Sequence, residues 1–176
     1  MEEAPPSYEK SIALIGLMGA GKSTVGRRLA RRIGLPFVDA DQEIEAAAGL
    51  SVAEIFERYG EAHFRDGERR VLRRLIEGPP RVIATGGGAF MNDETRALIL
   101  ARCIAVWLDA EVEILAERVS RRGHRPLLKG KDPRVQLRNL AEARGPIYAE
   151  AHLTIHSGAL PHEKMVDRIV AALAAR

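Results

Sequence analysis

Short apolar runs alternate with longer amphipathic stretches along this chain of 176 residues. The apolar runs have the length of buried strands and lie at 11–15, 36–39, 82–85, 103–109 and 153–155. Strands that are apolar on both faces and joined by helices form parallel sheets covered on both sides. The pattern therefore predicts an α/β fold, a three-layer α/β/α sandwich around a five-stranded parallel sheet.

The amphipathic stretches carry signals for where helices begin. Ser51 and Glu54 form a capping-box pattern, and Asp132 followed by Pro133 has the residue types preferred at the N-cap and first helical positions. Helices are predicted at 25–33, 51–59, 61–77, 93–101 and 111–120, from Asp132 onward, and from Pro161 to the end. The stretch 121–131 has no clear period and is predicted to be a loop.

The chain shows no internal repeat and no linker, and its length suits one domain. We expect residues 1–10 to be a flexible leader without a signal peptide, and residues 11–176 to be a single domain. Gly and Lys are frequent in the loop at about 121–131, which is typical of a mobile lid. An ordinary exposed loop is the alternative for this segment.

Composition excludes some classes of protein. Hydrophobic residues make up 46% of the chain, but no apolar run approaches the roughly 18 residues of a membrane span, so we expect no membrane partner. The net charge of +3 is too small to indicate nucleic-acid binding, and the arginine-rich stretch 69–74 is typical of a solvated helix face paired with acids. The single cysteine, Cys103, fits a reducing cytoplasm.

The turn after the first strand carries the most specific chemistry. Residues 16–23, Gly-Leu-Met-Gly-Ala-Gly-Lys-Ser, match the pattern G-x-x-x-x-G-K-[ST] between a predicted strand and a predicted helix. Such a loop aims backbone N–H groups and a helix N-terminus at a polyphosphate. Lys22 would reach the β- and γ-phosphates, and the Ser23 hydroxyl would bind Mg²⁺. The loop alone leaves an ATPase, a GTPase, a nucleotide kinase and a small-molecule kinase open.

The carboxyl ends of the other strands supply acids. Asp39 and Asp41 end the second strand, where one carboxylate can hold the Mg²⁺ hydration shell and the other an acceptor hydroxyl. The alternative is that Asp41 only caps a helix from Gln42. The other strand ends point to 86–88, Asp109 and 156–158 as further candidates, because ligands of open parallel sheets bind beyond these ends.

Two arginines and a glycine triplet are candidates for binding the acceptor. Arg65 and Arg144 have the side chain that binds carboxylates bidentately, and the glycines at 86–88 permit close approach to backbone N–H groups. Alternatively, Arg65 pairs with Glu61 or Glu68 on its own helix, Arg144 pairs with a nearby acid, and the glycines form only a tight turn.

Together these motifs resemble the shikimate kinase family, from Ile12 to the last helix. The shared motifs are residues 16–24 with Thr24 included, Asp39-x-Asp41, Phe64-Arg65, Gly86-Gly87-Gly88, Arg125-Pro126-Leu127-Leu128 and Arg144-x-Pro146-x-Tyr148. The resemblance implies a P-loop kinase domain of the nucleoside-monophosphate-kinase type. It also implies transfer of the ATP γ-phosphoryl group to the 3-hydroxyl of shikimate in aromatic amino-acid biosynthesis, with Mg²⁺ and, as is usual in the family, as a monomer.

The resemblance also implies a role for each matching residue. Lys22, Arg125 and Asp41 would be the catalytic residues, Ser23 a direct Mg²⁺ ligand, and Asp39 a ligand through water. The residues implied for ATP are Gly19, Ala20, Gly21, Lys22, Ser23, Thr24, Arg118 beside the adenine, and Arg125 from the lid. Those implied for shikimate are Asp41, Arg65, Gly86, Gly87, Gly88 and Arg144. The segment around Ser157 and Gly158 would also border the adenine.

Two departures from the family pattern affect the site. The lid segment before Arg125 is short, and Gly145 follows Arg144 where bulkier residues are common, which would loosen the helix end. Gluconate kinase remains the nearest alternative, since it also binds a phosphate donor and a carboxylate. A nucleotide switch is disfavoured because the chain lacks the guanine-reading Asn-Lys-x-Asp.

Overall fold

The computed structural model describes residues 8–122 and 132–176, with the backbone alone at Arg122. Five parallel strands form one sheet in the order β2-β3-β1-β4-β5. The strands are β1 Ser11–Ile15, β2 Phe37–Asp39, β3 Val82–Ala84, β4 Cys103–Asp109 and β5 Leu153–His156. The predicted five-stranded parallel sheet is confirmed, with each strand within about one residue of its expected bounds.

Seven α-helices of the described residues surround this sheet. They are α1 Lys22–Ile33, α2 Ala40–Ala48, α3 Val52–Glu77, α4 Asp93–Arg102, α5 Val112–Arg122, α6 Pro133–Tyr148 and α7 His162–Ala174. A short 3-10 helix covers Ala89–Met91. The last helical residue of α5 is Arg122, so the first two residues of the predicted loop at 121–131 are helical.

Helix α3 joins the two helices that the sequence predicts for this stretch. Ser51 caps its start, and both capping-box hydrogen bonds with Glu54 are present, at 3.1 and 3.3 Å. Gly60 interrupts the helix with φ 83° and ψ 173°, a conformation available only to glycine. The predicted boundary between the two helices is therefore a kink at Gly60.

Strand β1 is buried along its whole length and lies at the centre of the sheet. Its residues pair in register with β3 on one side and β4 on the other, Leu14 facing both Ala84 and Val106. Because every strand runs the same way, the loops after the strands converge at one edge. The candidate residues that follow the strands therefore lie along this edge.

The arginine-rich face of α3 is paired with acids, as expected. Arg69 and Arg70 both contact Asp66, at 2.6 and 2.8 Å, and Arg74 contacts Glu43 at 3.1 Å. Among the described helices, none is both long and apolar enough to cross a membrane.

Candidate active site

The loop between β1 and α1 adopts a conformation that its glycines permit. Gly16, Gly19 and Gly21 have φ angles of 144°, 83° and 92°, which side-chain-bearing residues rarely adopt. A Cβ on Gly16 would also lie 2.8 Å from the Leu108 carbonyl oxygen. Lys22 opens α1, and its Nζ donates to the carbonyl oxygens of Gly16 and Leu17 at 2.5 and 3.0 Å. The lysine ammonium thus lies inside the curve of the loop.

Ser23 and Asp39 form a pair of oxygen groups beside this loop. The Ser23 hydroxyl donates to Asp39 Oδ2 at 2.5 Å. The other carboxylate oxygen, Oδ1, accepts from the Gln42 backbone N–H at 3.2 Å, so Asp39 is the N-cap of α2. Asp41 lies in the first turn of α2. The alternative in which Asp41 is only a helix cap is therefore wrong, because Asp39 fills that position.

A cavity of about 400 Å³ runs from the loop to the glycine triplet. Its lining includes Lys22 and Ser23 from the loop, Asp39 and Asp41 from the end of β2 and the start of α2, and Gly86 and Gly87. The start of α3 adds Ser51, Val52 and Ala53. Donor and acceptor candidates therefore share one continuous space.

The glycine triplet is crowded by the charged residues that surround it. A Cβ on Gly86 would lie 2.8 Å from Glu68 Oε2 and 3.0 Å from Asp41 Oδ1. A Cβ on Gly88 would lie 2.6 Å from Arg65 Nη2. Alanine at either position would displace these groups, so packing against the charged side chains also requires glycine at Gly86 and Gly88.

Arg65 pairs with acids of its own helix as well as facing the triplet. Its Nη1 donates to Glu68 Oε1 at 2.9 Å, and its Nη2 lies 3.6 Å from Glu61 Oε1. The Phe64 ring lies 5.2 Å from the guanidinium carbon. Intrahelical pairing and a position in the site are therefore compatible, because these contacts hold the guanidinium against Gly88.

Glu68 is a buried acid that the sequence analysis did not assign to the site. Only 3% of the residue is exposed, and its Oε2 has no hydrogen-bond partner among the described residues. Burial raises the pKa of Glu68 above its usual 4.5, and the nearby Arg65 opposes this rise. The sequence contains one signal of this burial. Glu68 lies on the face of α3 that also carries the apolar residues Phe64, Val71 and Leu72.

Arg144 lies against a different glycine of the triplet from Arg65. It is 9% exposed, and its Nη1 is buried without a hydrogen-bond partner in the described parts of the chain. This nitrogen lies 3.5 Å from the position of a Cβ on Gly87. A buried guanidinium donor is costly unless it is paired, so this geometry favours an anionic ligand.

The helix that carries Arg144 continues beyond this residue. Helix α6 continues through Gly145 and Pro146 to Tyr148, and the Ala149 N–H still bonds to the Gly145 carbonyl. Gly145 therefore does not end the helix, and the expectation that it weakens this end of α6 stays a prediction. The Tyr148 hydroxyl donates to the Gly87 carbonyl oxygen.

Arg118 lies beside the phosphate loop, where its Nη1 donates to the Gly19 carbonyl at 3.1 Å. A Cβ on Gly21 would lie 3.8 Å from this Nη1 and 3.7 Å from a ring carbon of His162. The Ser157 N–H donates to the Asp109 carbonyl at 2.8 Å, and both residues line a separate cavity of about 580 Å³ that includes Gly158. Arg125 and nearly all of the predicted lid lie outside the described residues.

Comparison with known proteins identifies the family of this chain. A family model described as "Shikimate kinase" matches residues 18–174. The chain belongs to the shikimate kinase family. A curated shikimate kinase of Caulobacter vibrioides is 58% identical over 172 residues, 98% of this chain and 86% of that protein. A shikimate kinase of Zymomonas mobilis is 55% identical over 174 residues, 98% of this chain and 99% of that protein.

A solved structure extends the likeness from sequence to fold. Shikimate kinase from Acinetobacter baumannii in complex with shikimate superposes with a TM-score of 0.92 and 40% identity, covering 94% of this chain and 93% of that one. The predicted P-loop kinase fold and the predicted membership of the shikimate kinase family are thus confirmed.

Proposed function

We propose that this shikimate kinase family member transfers the γ-phosphoryl group of ATP to the 3-hydroxyl of shikimate, which gives 3-phosphoshikimate and ADP. One observation carries the proposal for this chain. Arg65 and Arg144 both lie against the glycine triplet, Arg65 at Gly88 and Arg144 at Gly87, and Gly87 lines the same cavity as Lys22. Two guanidinium groups beside a turn that shares a cavity with a phosphate loop suit an acceptor that carries a carboxylate.

The donor half of the site would hold ATP on the loop from Gly19 to Thr24. Backbone N–H groups and the start of α1 favour the phosphates, and Lys22 would exchange its carbonyl partners for phosphate oxygens. Arg118 is proposed to lie beside the adenine, which its contact with Gly19 supports. Arg125, outside the described residues, is proposed to close over the phosphates.

The residues in the donor half of the site also fit Mg²⁺. Ser23 Oγ and Asp39 Oδ2 are hard oxygen groups 2.5 Å apart, and the described residues contain no cluster of three or more His, Cys, Asp or Glu side chains for a metal. Such a pair suits Mg²⁺, which is commonly bound by one or two protein oxygens together with phosphates and water. When bound, the ion neutralises charge on the β- and γ-phosphates.

The acceptor half would position shikimate by both ends of the molecule. Arg65, Arg144 and the Gly87 backbone would bind its carboxylate, while Asp41 would hold its hydroxyls. Phosphoryl transfer needs little covalent help from the protein, so Asp41 would align the attacking oxygen and accept its proton as transfer proceeds. Exclusion of water by the lid would suppress ATP hydrolysis.

Phosphoryl transfer is tested with shikimate and gluconate side by side, with ADP release measured for each. We expect ADP formation to depend strongly on shikimate and to stay near the no-acceptor rate with gluconate. Equal rates with and without shikimate would contradict the proposal and favour a hydrolysing nucleotide switch. Turnover with gluconate alone would favour gluconate kinase.

We further propose that the enzyme is a cytoplasmic monomer without a nucleic-acid partner. Cys103 is buried, and burial raises the pKa of its thiol to about 11, so the sole cysteine is poorly suited to an intermolecular disulfide. Size-exclusion chromatography with light scattering checks the proposed monomer. A mass twice the 19.3 kDa of the chain would contradict it.

A further inference from the structure

Tyr148 is the last residue of α6 and is 1% exposed. Its ring neighbours those of Trp107 and Phe90, with centroid distances of 5.6 and 6.5 Å. Burial raises the pKa of Tyr148, so its hydroxyl stays protonated and donates to the Gly87 carbonyl oxygen. A buried tyrosine hydroxyl commonly has a hydrogen-bond partner, so the bond itself is ordinary. The position of its partner, in the glycine triplet, suggests a role for Tyr148.

The Gly87 carbonyl belongs to the same planar peptide unit as the Gly88 N–H. In a trans peptide these two groups point in opposite directions, so a bond that fixes the carbonyl also fixes the N–H. Consecutive glycines have no side chains to restrict them, and this turn has more conformational freedom than any other sequence would allow. Among the described residues, no backbone carbonyl accepts from the N–H groups of Gly87 or Gly88.

Tyr148 also lies four residues after Arg144, on the same face of α6. The buried Arg144 Nη1 lies 3.5 Å from the position of a Cβ on Gly87. One helix face therefore carries both a buried guanidinium and the hydroxyl that holds the turn beside it. A shift of this face would move the guanidinium and the turn together.

We propose that Tyr148 is a positioning residue for the acceptor carboxylate. Its hydroxyl holds the Gly87–Gly88 peptide so that the N–H groups of the turn face the space between Arg65 and Arg144. This inference rests on the proposed function, because it assigns the Gly87–Gly88 turn and both arginines to the carboxylate of shikimate. It adds that Tyr148 acts through the turn without touching the substrate.

The test replaces Tyr148 by phenylalanine, which keeps the ring and removes only the hydroxyl. We expect the Tyr148→Phe variant to raise KM for shikimate about tenfold, the effect of one lost hydrogen bond to a buried acceptor. Its kcat and its KM for ATP should stay within about twofold of wild type, since the donor half keeps its contacts. Tyr59→Phe is the matched control, because Tyr59 is 57% exposed and lies outside the cavity.

A second readout separates positioning from packing. Shikimate and its methyl ester are compared in both proteins, since the ester lacks the negative charge that the turn would bind. We expect Tyr148→Phe to lose much of the wild-type preference for the acid over the ester. Phe90→Leu, which loosens the packing of the same ring and keeps the hydroxyl, should lower Tm while the KM for shikimate and the preference for the acid stay near wild type.

The outcomes distinguish this inference from the proposed function. If wild type shows no shikimate-dependent ADP formation, the proposed function fails first. If wild type is active and Tyr148→Phe keeps its KM for shikimate, or loses activity equally with acid and ester, the inference is overturned and Tyr148 only packs. An equal rise of KM in Phe90→Leu would also overturn it, even if Tyr148→Phe did not fold.

Discussion

Asp41 and Glu68 both lie against Gly86, each with a carboxylate oxygen within about 3 Å of the position of a Cβ there. The negative charge of Asp41 raises the pKa of Glu68, and the positive charges of Arg65 and Arg144 lower it. These four side chains therefore form one electrostatic unit around a turn without side chains. A change at one of them alters the others through charge as well as contact.

In the proposed mechanism, Asp41 is the member of this unit that aligns the attacking oxygen. We expect Asp41→Asn to lower kcat by roughly 10²- to 10⁴-fold, the range of acid–base residues, because the amide can neither accept the proton nor supply the charge. Its KM for ATP should change little. Steady-state kinetics measures both, with the exposed Asp93→Asn as control. A near-normal kcat would remove Asp41 from this role.

Glu68 makes the unfolding free energy depend on pH. Its folded pKa lies above 4.5, so the folded state binds more protons than the unfolded state between 4.5 and that raised pKa. The unfolding free energy of wild type therefore falls as pH rises through this window and then levels off. Glu68→Gln removes the titration and keeps an acceptor for Arg65.

We expect the Glu68→Gln variant to gain stability over wild type as pH rises from about 4.5, with the gap widest above the raised pKa. Urea unfolding at a series of pH values measures this gap. Glu57→Gln, on the same helix and exposed, controls for the loss of one charge. A gap that narrows as pH rises would contradict the direction of the shift.

At the scale of single residues, local motifs predict some roles and not others. Lys22 and Ser23 were found because a loop of eight residues contains the whole signal. The sequence gives no role to Glu68 or Tyr148, because their contacts with the glycine triplet exist only after α3 and α6 pack against it. The protonation preference of Glu68 likewise depends on burial, which the sequence does not state.

Two glycines inside helices differ in whether the backbone requires glycine. Gly60 has φ 83° at the kink of α3, whereas Gly145 has an ordinary helical place in α6. A Cβ would meet nothing within 4 Å at either position. Space is therefore equal at the two sites, and only the backbone conformation differs.

The same substitution should therefore have opposite effects at these two positions. Gly145→Ala should stabilise the protein by about 0.5–1 kcal/mol, because alanine is the better helix former. Gly60→Ala should destabilise it by about 1–3 kcal/mol, because the Cβ is strained at this positive φ. Urea denaturation measures both. The same sign for the two variants would contradict the assignment of the kink to Gly60.

The start of a helix is easier to predict from sequence when a side chain caps it than when no side chain does. The capping box at Ser51 and the N-cap at Asp132 were identified from sequence and are present. Helix α1 begins at Lys22, three residues before its predicted start, and its N-cap Gly21 makes no side-chain bond. The loop conformation sets that start, and residue type alone does not reveal it.

At the scale of the whole molecule, the strands and their direction were predictable but their order was not. Alternation of strands and helices favours parallel pairing. The order β2-β3-β1-β4-β5 depends on long-range contacts between elements far apart in sequence. Cys103 reports on this assembly, because it begins β4 and pairs with Ser11 at the start of β1.

Labelling of Cys103 should therefore follow unfolding of the sheet. The thiol is 1% exposed and its pKa is raised to about 11, so both access and thiolate formation are suppressed in the native state. We expect a thiol reagent to label the native protein slowly and one thiol per chain rapidly in urea. Fast native labelling would show that the start of β4 opens locally, without unfolding of the sheet.

The two arginines beside the glycine triplet belong to helices on different sides of the chain's midpoint, Arg65 on α3 and Arg144 on α6. In the proposed complex, one carboxylate group would join them as a non-covalent cross-link. Fluctuations that separate α3 from α6 would then require release of the substrate. Amide hydrogen exchange in both helices should slow together when shikimate binds, so that a small molecule couples the motions of segments that the backbone leaves far apart.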